Sequence, residues 1–133
     1  MTTPVLPAPT LLALSRCGLT EAAATGVPGQ RYALAHLAAL RAAAAVLSCR
    51  ATPGPQRGRP KSAWVLLSAV APELSEWAAF FATGARKRAA AEAGIAGVVT
   101  PREADDLLRD AQSFLAVVET TLIGRRAASR AAG

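Results

Sequence analysis

The sequence predicts an all-α protein, an antiparallel helical bundle of four long helices and one short one. Three observations carry that expectation. The 133 residues include 33 alanines, while aromatic residues make up only 5%; alanine has the best helix propensity and little preference for strands. Apolar side chains recur at spacings of three and four, and no segment alternates with the period of two that a half-buried strand requires. Helix start and stop signals also divide the chain into segments of helical length.

The elements follow in order. Residues 1–9 hold three prolines and read as a loose arm. Thr10 is of N-cap type and opens a first helix that fades near Gly26, with Leu11, Leu14 or Ser15, Gly18 and Ala22 as its inner stripe. A second helix runs from about Gln30 to Arg50, and Ala33, Leu37, Leu40, Ala44 and Leu47 form its expected buried face. Residues 51–61, with three prolines and two glycines, are a loop. Ser62 caps a short helix, Ala-Trp-Val-Leu-Leu-Ser-Ala-Val-Ala, that Pro72 ends while starting the next. The third long helix runs to Gly94 and buries Leu74, Trp77 and Phe81. The last has the clearest start. Thr100-Pro101-Arg102-Glu103 is a capping box with proline at the first helical position, and Asp105 and Asp106 complement the helix dipole. Leu107, Ala111, Phe114, Val118 and Leu122 make its stripe. A single bundle domain over residues 10–124 is expected, followed by a frayed basic tail at 125–133.

The formal charge is +6, which suits an anionic partner and is also what the arginine bias of a GC-rich genome produces. Cys17 and Cys49 stand 32 residues apart beside a single histidine, too few ligands for a zinc or iron site, and are expected as buried thiols. No metal and no cofactor is expected. The N-terminus lacks the basic segment of a signal peptide, and the charge-free apolar runs are short for a membrane span. A cytoplasmic protein is the expectation.

Two motifs bear on chemistry. Arg31 and His36 combine a phosphate clamp with an imidazole able to move protons, the requirements of metal-free RNA cleavage. Five residues place them about 140° apart around a regular helix, so convergence needs an irregular first turn or a dimer; the other reading is a packed histidine satisfied by a neighbour. Arg57-Gly58-Arg59-Pro60-Lys61 is similar to the core of an AT-hook, in which extended Arg-Gly-Arg lies in a narrow minor groove. With Arg50 it supplies four cations and no acid, and Arg86-Lys87-Arg88 is a second basic run. These seven residues are the candidate nucleic-acid contacts.

The order of these segments, with RYALAHLAALRAAAAVL, then SAW, PELSEWAAFF and READDLLRDAQSFLAVVE, resembles an actinobacterial branch of the HEPN (higher eukaryotes and prokaryotes nucleotide-binding) superfamily over about residues 10–123. The resemblance implies a small, all-helical and usually dimeric domain, often a metal-independent ribonuclease. Active members carry an Arg, commonly a polar residue after it, and a His four to six positions beyond the Arg on the last long helix. Here Arg109 and Asp110 match the start, and Phe114 stands where the histidine belongs. The resemblance therefore implies a non-catalytic, homodimeric module that binds RNA, DNA or a partner protein. A ribonuclease using Arg31 and His36, and a purely protein-binding adaptor, are the alternatives.

Overall fold

The computed structural model describes residues 6–50 and 62–132. These residues form α1 (Ala8–Ala24), α2 (Pro28–Arg50), α3 (Ala63–Val70), a 3₁₀ turn (Pro72–Leu74), α4 (Ser75–Thr83), α5 (Ala85–Glu92) and α6 (Pro101–Ala132). No strand occurs among them.

α1 begins at Ala8 rather than after Thr10. Pro7 occupies the N-cap position and Pro9 falls within the first turn, where a missing N–H costs nothing. Its inner stripe is the expected one, Leu11, Ser15, Gly18 and Ala22, with Leu19 added. α2 is the central helix, packed on by α1, α3, α5 and α6. Its most deeply buried residues are not the predicted set: Ala33, Leu37, Leu40, Ala44 and Leu47 are all half-buried. Tyr32, Ala35, His36, Ala38, Ala39, Ala42, Ala43, Ala45 and Val46 are buried instead. Side-chain size misleads here, because a surrounded helix puts its smallest residues where neighbouring backbones come closest. The Ser15 hydroxyl donates to the Ala38 carbonyl at 2.7 Å, and a methyl group added at Gly18 would meet the Ala38 Cβ at 3.4 Å.

α2 is also the one described helix long and apolar enough to cross a membrane by length and composition. It meets that test as the core helix of the bundle. Cys17 and Cys49 are free, as expected, but exposed rather than buried. Gly18 and Leu19 take the inward positions beside Cys17, and Cys49 lies in the last turn of α2, beyond Val46.

Ser62 caps α3 by accepting from the Val65 N–H at 3.2 Å. The third long helix of the sequence reading is broken in two at Gly84. α4 carries Phe81 into an aromatic core with Trp64, Trp77 and Phe114, at ring separations of 5.2–6.3 Å. α5 buries none of its residues. Gly94 and Gly97, both at positive φ, turn the chain into α6. There the capping box forms in both directions, Glu103 N–H to Thr100 Oγ1 at 3.1 Å and Thr100 N–H to Glu103 Oε1 at 2.9 Å. α6 continues to Ala132, past the point where the sequence reading let it fray; no proline interrupts an alanine-rich segment. Arg31 pairs with Asp105, and Arg16 with Glu119 at 3.3 Å. Since Arg31 opens α2 and Asp105 opens α6, those two helices run parallel, with α1 antiparallel to both.

Candidate functional site

His36 explains the break at Gly84. The imidazole is fully buried, between Tyr32, Trp64 and Phe81. Its Nε2 lies 2.8 Å from the Phe81 carbonyl oxygen. A carbonyl can only accept, so Nε2 carries the proton. The Gly84 N–H donates to the same carbonyl at 3.1 Å. His36 thus supplies a second donor to a carbonyl in the last turn of α4. A Cβ at residue 84 would stand 2.7 Å from the Tyr32 hydroxyl and 3.3 Å from the His36 ring, so the break needs glycine for space, not for its torsion angle. Burial holds the His36 pKa below 6.5, and Arg88 pushes the same way against the Phe81 hydrogen bond and Glu92. The ring is neutral, and its Nδ1 has no partner among the described residues.

Arg31 is spent in a parallel way. Its guanidinium donates to the carbonyls of Ala22 (2.9 Å), Ala23 (3.2 Å) and Thr25 (2.7 Å) and also pairs with Asp105. It closes the C-terminus of α1 and ties it to the start of α6. Arg31 and His36 therefore leave α2 in different directions, each toward a helix end.

The described members of the proposed cationic set are mostly paired as well. Arg50 meets Glu73 at 2.7 Å, Lys87 meets Glu103, and Arg88 meets Glu92 at 3.6 Å. The Lys87 hydrogen bond, with that from Thr100, holds the Glu103 carboxyl down to about 2. Arg86 is exposed. Arg57, Arg59 and Lys61, with the AT-hook-like motif, lie outside the described residues. The acids are distributed to match. All nine fall between Glu21 and Glu119, outside residues 51–61, and nine of the 15 cations accompany them, leaving a bundle of zero net charge. The remaining six, Arg57, Arg59, Lys61, Arg125, Arg126 and Arg130, account for the whole +6.

On α6, Arg109 is exposed and lies 3.3 Å from Asp106, Asp110 is half-buried, and Phe114 is fully buried among Trp64, Trp77 and Phe81. A family model described as SAV_6107-like HEPN matches residues 22–119. The chain belongs to this HEPN family. The match covers α2 to most of α6 and leaves out nearly all of α1. No curated protein and no solved structure matches. Of the three residues that the sequence resemblance singles out on this helix, Phe114 is a core ring and Arg109 a surface side chain.

One further feature of this HEPN domain escaped the sequence reading. Glu76, Trp77 and Phe80 of α4 and Asp110 of α6 line an open groove, with Phe80 44% exposed. Burial and neighbouring Asp106 push the Asp110 carboxyl up against the pull of Arg109. The sequence shows Glu76 and Phe80 one turn apart, but nothing in it brings Asp110 across to them.

Proposed function

We propose that this HEPN protein is a non-catalytic module that binds nucleic acid through the six cations in excess of its acids. The observation that carries the reading is the cancellation of charge within the bundle: the entire excess sits in two acid-free stretches of sequence, residues 57–61 and 125–130. Phosphate attracts such segments without needing a shaped pocket, and an extended Arg-Gly-Arg can follow a groove that a rigid bundle cannot enter. Catalysis is disfavoured because Phe114 cannot carry a proton, while Arg31 and His36 are committed to helix ends. Two free thiols agree with a reducing cytoplasm, where we place the protein.

The test measures binding to duplex DNA and to RNA against salt. Three or four phosphate contacts give a log–log slope of about −3 to −4. Replacing Arg57, Arg59 and Lys61 together by alanine should flatten it by about two to three units and leave the helical content unchanged. A hook-like contact adds a preference for AT-rich duplexes. Equal binding by parent and variant at every salt concentration would reject the loop as the contact, and no binding by the parent would favour the protein-binding alternative. In parallel, single-stranded RNA in EDTA should stay intact; cleavage lost on His36→Ala would restore the ribonuclease reading.

A further inference from the structure

Six of the nine acids have a cation within salt-bridge range: Glu73, Glu92, Glu103, Asp105, Asp106 and Glu119. Among the described residues, Glu21, Glu76 and Asp110 have none. Glu76 and Asp110 reach one place from different helices, the groove between α4 and α6 that Trp77 and Phe80 also line. Its volume is about 300 Å³, at the bottom of the range of small-molecule pockets, about 300–1,000 Å³. It is also open to solvent rather than enclosed. Those dimensions suit one side chain presented by another protein better than a buried metabolite.

The rings of the groove are held from behind. Trp77 stacks on Phe81 at 6.1 Å, within 15° of parallel, and meets Phe114 at 5.5 Å. Phe80 and Phe81 pack edge to face at 5.1 Å, and Phe81 and Phe114 are fully buried. The aromatic surface is therefore fixed before any partner arrives, which lowers the ordering cost of binding. Phe80 nevertheless stays 44% exposed, and Trp77 is only half-buried. The acids complete the picture. Burial and Asp106 push the Asp110 carboxyl up despite Arg109, and a cation seated in the groove would oppose that push.

The chemistry of this lining selects its occupant. Two carboxylates repel phosphate, and an aliphatic side chain would cover the rings while leaving both acids unpaired. A cation satisfies rings and acids together. Guanidinium does so better than ammonium, because its plane stacks on a ring while its edge donates forked hydrogen bonds to a carboxylate. We propose that the groove between α4 and α6 docks an arginine-bearing segment of a partner protein, the guanidinium stacking against Trp77 and Phe80 and pairing with Glu76 and Asp110. This surface is separate from the cations assigned to nucleic acid, and either assignment can stand without the other.

Titrating isotope-enriched, full-length protein with a capped Gly-Arg-Gly peptide, followed through amide and indole signals, tests the docking. One anchoring side chain corresponds to a dissociation constant on the order of 1–10 mM. Shifts should centre on residues 76–80 and 110 and on the Trp77 indole, and saturate together. The same peptide with citrulline, the uncharged isostere of arginine, should bind the parent about tenfold more weakly, and Gly-Lys-Gly about threefold more weakly. Glu76→Gln/Asp110→Asn, a nearly isosteric pair of changes at the surface, should weaken the arginine peptide about tenfold. The citrulline comparison uses the parent alone, so it decides whatever the stability of the variant. Shifts spread evenly over the other acids, equal binding of the citrulline or lysine peptide, or unchanged affinity in the double variant overturns the proposal. So does a concentration-dependent shift of the groove signals in peptide-free protein that the double variant abolishes, since the occupant is then a second copy.

Discussion

His36 makes folding sensitive to mild acid. The folded state holds the ring neutral, with its pKa below the 6.5 of the free side chain, whereas the unfolded chain takes up a proton near that value. The contribution to stability is therefore complete above the unfolded pKa and declines as pH falls through the window beneath it. The melting temperature should be flat above about pH 7.5 and drop between about pH 6.5 and 5. His36→Gln keeps a donor for the Phe81 carbonyl and should remove the drop in this window, at the expense of a lower melting temperature at neutral pH. A parent curve that stays flat to pH 5 rejects a neutral, buried His36. Gly84 supplies a second residue-scale test. Gly84→Ala forces its methyl group against the Tyr32 hydroxyl, an overpacking that should cost about 1–3 kcal/mol. Tyr32→Phe deletes the colliding oxygen and should recover part of that loss; thermal melts of the single and double variants measure the coupling. Additive losses would mean that the collision is not the source.

Helix ends, more than helix faces, distinguish this bundle. Arg31 fills the α1 terminus with donors and His36 the α4 terminus, although each is one side chain of a third helix. Arg31→Ala leaves carbonyls of α1 unpaired and Asp105 without its cation. Charged hydrogen bonds of this kind contribute about 1.5–3 kcal/mol, so the variant should melt roughly 5–15 °C lower. Arg31→Lys, a point charge in place of a fork, should recover only part. A variant with the parent's melting temperature would show the cap to be dispensable. The same elements show what a sequence can reveal. The Thr100–Glu103 box, the Ser62 cap, and the α1 and α6 stripes were legible because each is set by residues within a few turns. The buried face of α2 and the division at Gly84 were not. Both depend on what approaches from another helix, alanines under α1 in one case and the Tyr32 hydroxyl in the other, and neither partner is near in sequence. Arg31 and His36 were recognisable as important, but their roles as caps appear only when α1 and α4 have been placed.

At the scale of the whole molecule, charge separates cleanly from fold. The bundle is neutral by count, nine acids against nine cations, and seven of those cations lie in ion pairs, so removing the six surplus cations should change how the protein interacts and not how it folds. A variant with Arg57, Arg59, Lys61, Arg125, Arg126 and Arg130 replaced by alanine should lose retention on a cation exchanger at pH 7. Its helical signal and melting temperature should stay close to the parent's, since substitutions away from packed features usually change stability by less than about 0.5 kcal/mol each. Its solubility should be poorest near neutral pH, where net charge vanishes. Retention equal to that of the parent would place the cationic surface on the bundle itself, with Arg41 and Arg86, the two described cations lacking an acid partner, as the first residues to test.

The burial of Phe114 bears on descent as well as on chemistry. If Phe114 stands where active HEPN members carry their histidine, its surroundings decide how readily that residue could be put back. Here the position supports three other rings, and Phe114→His would bring an imidazole into a dry aromatic cluster with no acceptor for its N–H. The reverse step costs folding before it yields any proton transfer. On that reading the change would act as a ratchet, since a histidine at 114 would require rebuilding Trp64, Trp77 and Phe81 around it.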